Sequence, residues 1–254
     1  MGVYRSFRFR HFRILLINIP IKDSSRIFDG GCMVDTRPNI LFAITSHGLG
    51  HFTRTIAVIK EFLRLYPNVQ VILSTGISKE RVARDLAEPF LYRSKEYEPG
   101  AIQRNCFEVD IKLTRESYRI FFKTREDRLR EEEDVLKRFK CAGVVSDIPA
   151  LPVRAAANVG IPAVGLSNFT WDWILEPLFE GSKLEYILKQ LAADYSRGQL
   201  HLCLPFGPST SPFAYSENAP LVSRVASVLP TEVRKRLNIP IHDNRKLVVV
   251  CPGG

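Results

Sequence analysis

Asn39-Ile-Leu-Phe-Ala-Ile-Thr-Ser-His-Gly-Leu-Gly-His51, followed by Phe-Thr-Arg-Thr-Ile-Ala-Val-Ile-Lys-Glu-Phe-Leu63, reads as strand, glycine loop and helix. Ile40 to Ile44 is a short, nearly unbroken apolar run, the pattern of a strand buried on both faces of a parallel sheet. Ile56, Ile59, Lys60 and Leu63 then recur at steps of three and four, which predicts a helix with Thr53 as its cap. Between them, Gly48 and Gly50 can take positive φ and bring backbone close to a ligand, and the helix start beyond offers unpaired N–H groups to an anion. The same loop carries two imidazoles, His47 and His51.

Downstream the pattern repeats. Val69 to Thr75 reads as a second buried strand and Ser78 to Leu86 as a helix, which at this spacing predicts βαβ units and a parallel sheet. Pro89, Pro99 and Gly100 break up Phe90 to Lys112 into short strands or loops, and Ser117 to Lys140 has the period of one long helix. Ala142 to Asp147 is the next strand, Ala150 to Val159 a small-residue helix, and Ile161 to Leu166 another strand. Asp147 and the segment Ser167-Asn-Phe-Thr-Trp-Asp-Trp173 thus fall at strand C-terminal ends, the edge where open α/β sheets bind ligands. Glu185 to Tyr195 reads as a helix, Gln199 to Leu204 as a strand, Pro205 to Pro220 as a loop and Val233 to Leu237 as a short helix. Lys246 to Gly254 has the look of a fresh strand and glycine turn. The expected organisation is an extension over 1–35, poorly ordered, a Rossmann-like domain over 36–240, and a linker with the first strand of a second domain over 241–254.

The 254 residues are 45% hydrophobic, enough to bury one large core or two modest ones. The formal charge is +9, and many of the arginines lie in an N-terminal tail and in a stretch around Arg115 to Arg138, where Glu131-Glu-Glu-Asp134 alternates with basic groups in the manner of a solvated helix face. No aromatic-basic module or zinc spacing accompanies the charge, which argues against nucleic acid as partner; an anionic small ligand or an acidic membrane surface fits equally well. The five cysteines are odd in number and contain no Cys-x-x-Cys pair, so neither a disulfide framework nor a metal site is expected. A reducing, cytoplasmic location fits that usage. Ile14 to Ile21 is too short to span a bilayer.

Taken together, Ser46-His-Gly-Leu-Gly-His51 with Thr53-Arg54, Val145-Ser-Asp147-Ile-Pro, Ser167-Asn-Phe-Thr-Trp-Asp-Trp173, Ala193-Asp-Tyr-Ser196, and Pro220-Leu-Val with Glu232-Val-Arg-Lys-Arg-Leu resemble the N-terminal half of a GT-B-type glycosyltransferase. They are most similar to the glycosyltransferase-like domain that precedes the sugar kinase in plant L-arabinokinases. The glycine-histidine loop is also similar to that of lipid-linked-sugar N-acetylglucosaminyltransferases. The resemblance implies a Rossmann-like sheet with helices on both faces, holding a carbohydrate or glycolipid acceptor, and a second domain gripping a nucleotide-sugar donor; no other cofactor is implied. Transfer is therefore expected of the joined protein rather than of these residues alone. A non-catalytic, carbohydrate-binding regulatory domain is the alternative.

Within that frame His51, with His47 as alternate, is the candidate general base, because a neutral imidazole near pH 7 can take a proton from an acceptor hydroxyl. Asp147 either orients the histidine, meets a sugar hydroxyl, or caps the following helix. Ser46, Gly48, Gly50 and Arg54 are candidate ligand contacts on the loop. Asn168, Trp171 and Asp172 offer an amide, a ring and a carboxylate suited to sugar, whereas Trp173 is expected in the core. Gly253 and Gly254 are candidates for meeting a donor diphosphate through backbone N–H groups.

Overall fold

The computed structural model describes residues 37–250 apart from 225, 227, 241 and 244, together with the backbone of 28–29 and 32–33. Gly253, Gly254 and the rest of the expected extension over 1–35 lie outside the described residues. Phe28–Asp29 (β1) pairs antiparallel with Cys32–Met33 (β2). The chain then runs through β3 (Asn39–Ile44), α1 (Leu49–Leu65), β4 (Gln70–Thr75), α2 (Lys79–Asp85), β5 (Phe90–Ser94), and a small antiparallel pair, β6 (Gln103–Asn105) and β7 (Glu108–Val109). Next come α3 (Ile111–Lys123), α4 (Arg125–Arg138), β8 (Cys141–Asp147), α5 (Leu151–Asn158), β9 (Ala163–Ser167), α6 (Trp171–Phe179) and α7 (Glu185–Tyr195). β10 (Leu200–Cys203), β11 (Ser216–Asn218) and α8 (Pro230–Arg236) complete it.

Seven strands form one sheet in the order β11-β10-β9-β8-β3-β4-β5, every pair parallel. β3 alternates its side chains between two cores: Ile40, Phe42 and Ile44 face α1 and α2, while Leu41 and Ala43 face the layer of α3 to α7. That two-sided burial is why the segment is apolar throughout. From β3 the chain steps outward through β4 to β5, then returns to β8 and steps the other way. The reversal lies between β3 and β8, where Ile44 stands opposite Asp147. A crevice opens at such a point, beyond the strand C-termini.

Several elements differ from the sequence reading. Helix α1 starts at Leu49, after Gly48 at φ 83°, so Thr53 lies inside the helix and donates to Gly50 O at 3.2 Å instead of capping. Its buried face is Phe52, Thr55, Ile56, Val58, Ile59 and Phe62, with Lys60 exposed. The single helix expected over Ser117 to Lys140 is two, α3 and α4, joined at Thr124, whose hydroxyl turns back onto Phe121 O at 3.3 Å. Thr114, Tyr118, Phe121, Arg125, Leu129, Glu132 and Leu136 are buried at steps of three and four straight through the join, so the break leaves no trace in the period. Within it, Glu132 is fully buried rather than solvated, accepting from Arg93 Nη1 at 2.6 Å and Tyr97 Oη at 3.0 Å. The strand expected at Lys246 to Val250 does not form, since no described strand pairs with it, and Val248, Val249 and Val250 stand exposed.

Arg125 and Asp194 tie α4 to α7 through a buried two-pronged contact at 2.5 and 2.6 Å. Alanine at 194 leaves the guanidinium without its main partner in a dry setting, and a loss of about 3 kcal/mol is expected in equilibrium urea unfolding.

Candidate active site

The last residue of β8 and the first two turns of α1 meet in the crevice. Asp147 is fully buried and accepts three side-chain hydrogen bonds. Thr55 Oγ1 donates to Oδ2, Arg54 Nη2 donates to Oδ1 at 2.5 Å, and His51 Nδ1 lies 3.1 Å from the same Oδ1. His51, Arg54 and Thr55 are three and four apart, so one helical face delivers all of them. Burial pushes the Asp147 carboxyl pKa upward, but the hydrogen bonds from His51 and Thr55 and the neighbouring positive charges outweigh it, and the net value lies below the ordinary one.

An ionised carboxylate can only accept, so we assign the His51 proton to Nδ1, which leaves the Nε2 lone pair free. The 2.9 Å approach of Arg54 Nη2 to His51 Nδ1 follows from both groups pointing at one oxygen. Arg54 also donates through Nη1 to Asn168 Oδ1 at 3.0 Å, tying the end of β9 to α1. Two of its nitrogens are thus held by the protein's own acceptors, while its Nε is buried without a partner and the side chain lines the hollow described next. Phe169 meets the His51 ring edge-on at 5.6 Å. Gly50, His51, Thr53, Arg54, Asn168 and the passing strand of chain at Val222 to Arg224 line an open hollow of about 400 Å³.

The other imidazole is placed differently. His47 is wedged edge-on against Trp171 at 5.7 Å and over Gly100, where a Cβ would come within 2.8 Å of its ring. Burial lowers its pKa, and the adjacent His51 lowers it further. It does not line the hollow. Ser46 donates to Glu96, and Gly48 supplies the positive φ at the turn into α1.

Three supports escaped the sequence reading. Thr55 carried no signal beyond its spacing from His51. Ile148, a β-branched residue at φ 81° directly after Asp147, holds its carbonyl toward Tyr195 Oη, which donates to it at 2.6 Å. Strained backbone of this kind is kept where the surroundings enforce it. Gly207 presses its backbone on Asn168, so that a Cβ there would lie 1.5 Å from the Asn168 carbonyl oxygen. Gly207→Ala is expected to displace the 205–213 loop and cost about 1–3 kcal/mol in thermal or urea unfolding, because backbone stands on both sides of the clash.

No family model matches the chain. L-arabinokinase of Arabidopsis thaliana is 30% identical to it over 240 residues, spanning 92% of this chain and 23% of that protein. The chain therefore covers about a quarter of the length of this curated relative. Among solved structures, a UDP-glucosyltransferase from Polygonum tinctorium capable of glucosylating indoxyl, in complex with 3,4-dichloroaniline, superposes with a TM-score of 0.50 at 14% identity over 79% of this chain and 56% of that one. UDP-glucose:anthocyanidin 3-O-glucosyltransferase in complex with UDP gives 0.49 at 11% identity over 78% and 55%. In fold, the chain is Rossmann-like α/β and matches about half of a GT-B glycosyltransferase. In sequence it is L-arabinokinase-like.

The glycosyltransferase-like domain brings the histidine loop and the Asn168–Trp171 segment to one rim, as their strand positions predict. The tryptophans are exchanged relative to expectation. Trp171 is buried in the core behind His47, while Trp173, two residues further on α6, is 42% exposed. The reason is that α6 begins at Trp171, so its first residue faces the sheet and the third faces out. Asp172 also departs from expectation, since it lines a separate hollow with Trp173 and not the one beside His51. No helix among the described residues is long and apolar enough to cross a membrane.

Proposed function

We propose that this domain is the acceptor side of a nucleotide-sugar-dependent glycosyltransferase-like protein, which transfers a glycosyl group to a hydroxyl acceptor when joined to a donor-binding domain. The observation that carries the reading is the His51–Asp147 contact at the mouth of the 400 Å³ hollow. An acceptor hydroxyl seated there gives its proton to His51 Nε2 as its oxygen bonds to the anomeric carbon and the bond from that carbon to the nucleotide diphosphate breaks. Asp147 holds the ring in the required tautomer and stabilises the imidazolium that forms. The UDP-sugar transferases among the structural neighbours support a uridine diphosphate sugar as donor.

The test is transfer from a panel of UDP-sugars to hydroxyl acceptors by the joined protein. His51→Ala is expected to remove turnover while donor affinity and the circular dichroism spectrum stay unchanged; undiminished turnover would remove His51 from the base role. A second reading, a non-catalytic carbohydrate-binding regulatory domain, is favoured by one feature. Arg54 already neutralises Asp147, which weakens the carboxylate's hold on an imidazolium. Sugar binding without transfer from any donor would decide for it.

A further inference from the structure

The chain that leaves β11 returns to α1. Ala219 N–H donates to Cys203 O at 2.8 Å, and Val222 packs against the core beneath α1 and α2. With Val222 turned in, Ser223 and Arg224 stand exposed, and both line the hollow at His51. The carboxylate beside Arg224 is Asp85, which lies 3.9 Å from Nη1, beyond hydrogen-bond reach, and already accepts from Arg81 Nε at 2.7 Å. One carboxylate is thus shared by two guanidinium groups. No described residue accepts a hydrogen bond from Arg224, whose side chain is 62% exposed. Asn168 turns Oδ1 to Arg54, which leaves its amide hydrogens without an acceptor among the described residues. No Asp or Glu among the described residues lines this hollow, and Asp147 behind it is fully buried with both oxygens occupied. At Gly50 the wall stays open, since no atom lies within 4 Å of where a Cβ would stand.

Resting on the acceptor reading above, we propose that the hollow at His51 takes an anionic sugar, one carrying a carboxylate or a phosphate. Arg224 and Ser223 hold the oxyanion while a sugar hydroxyl meets His51 Nε2. A guanidinium fork fits either oxyanion through two parallel N–H donors. A neutral sugar can meet Ser223 and Asn168, but it makes no use of a positive charge that the wall does not offset. A cation is repelled by Arg224 and gains nothing from Asp147, which is enclosed. The 400 Å³ volume suits one sugar ring with its charged substituent.

Isothermal titration calorimetry with D-glucuronate, D-glucose 6-phosphate and D-glucose tests this, the first two separating carboxylate from phosphate. At least one anionic sugar is expected to bind about tenfold or more tightly than D-glucose, a difference of about 1.4 kcal/mol. Arg224→Gln should remove that preference and leave D-glucose unaffected, and Arg224→Lys, which keeps the charge without the fork, should retain part of it. Urea midpoints of both variants should match the wild type, as the side chain is exposed. Equal binding of anionic and neutral sugars, or a preference that survives Arg224→Gln, would overturn the proposal. So would inorganic phosphate binding as tightly as D-glucose 6-phosphate, which means a site that reads no sugar, or UDP binding more tightly than either through Arg224, which gives the site to the donor. Transfer by the joined protein is scored apart. An Arg224-dependent preference without transfer upholds the anion site and sinks the acceptor reading alone; transfer lost in His51→Ala but indifferent to acceptor charge and to Arg224→Gln does the reverse.

Discussion

Asp147→Ala is expected to lower the stability of the domain by about 3–5 kcal/mol in equilibrium urea unfolding, the range for breaking a buried ion pair from one side. The Arg54 side chain is only 17% exposed and keeps Asn168 as its remaining strong acceptor, so its charge would be stranded. The buried Thr55 hydroxyl loses its acceptor as well. Transfer, if His51 is the base, should fall along with stability, since the ring is no longer fixed in one tautomer. Adding Arg54→Met to Asp147→Ala should restore part of the loss, because the stranded charge is then gone, and the shortfall from additivity measures the coupling. A fall of less than about 1 kcal/mol for the single variant would mean that water reaches the guanidinium freely. The pH dependence has a definite sign. The folded Asp147 pKa is depressed, so its stabilisation is present above the unfolded carboxyl value of about 3.9 and is lost as the pH falls through the lower folded value.

Glu98→Gln is expected to stabilise the domain by about 1–3 kcal/mol at pH 8 and to do little at pH 4.5. Glu98 is enclosed beneath the histidine loop, where Oε1 accepts the backbone N–H groups of Ala150 and Leu151 at 3.0 and 2.9 Å and Oε2 has no partner. Burial raises its pKa from the ordinary 4.5 to about 7. The carboxyl is therefore protonated in the folded state below about 7 but ionised in the unfolded chain above about 4.5, and its contribution declines as the pH rises through that window. His201 slopes the opposite way. It is held between the hydroxyls of Ser167 and Ser211 at 2.9 and 2.8 Å and stacked on Phe213, and burial lowers its pKa to about 4. Its contribution is present above about 6.5 and lost as the pH falls toward 4. Each displacement is worth about 3 kcal/mol, so the two nearly cancel in the wild type. In Glu98→Gln the cancellation ends, and urea midpoints should climb from pH 4.5 to pH 6.5. A Glu98→Gln effect of equal size at pH 4.5, 6.5 and 8 would show that the carboxyl does not titrate in this range.

The strands around the crevice were legible because two-sided burial leaves a strong mark: Ile40–Ile44, Val71–Leu73 and Val144–Val145 have no polar face to confuse the reading. The pairing of His51 with Asp147 was one of several roles the sequence left open for that carboxylate; its place at a strand's C-terminal end put it on the right edge without choosing among them. What could not be read was settled by a rotation or by a partner far away in sequence. Whether Trp171 or Trp173 faces the sheet depends on where α6 begins, and Thr170 gives no side-chain cap to mark it. Glu132 looks like its acidic neighbours in sequence, and only Arg93 and Tyr97, from another part of the chain, separate it from them. The two acceptors of Arg54, Asp147 and Asn168, are more than ninety residues away in sequence, out of reach of any local pattern.

The common origin of His51, Arg54 and Thr55 on a single turn has a consequence for how such a site changes over time. All three reach Asp147 through one rotational setting of α1, and a residue gained or lost between Gly48 and His51 turns the helix by about 100° relative to its entry. Proton acceptor, counter-charge and hydroxyl then swing away together. Changes of length in that turn therefore keep the triplet or lose it as a unit, whereas substitutions can remove its members singly.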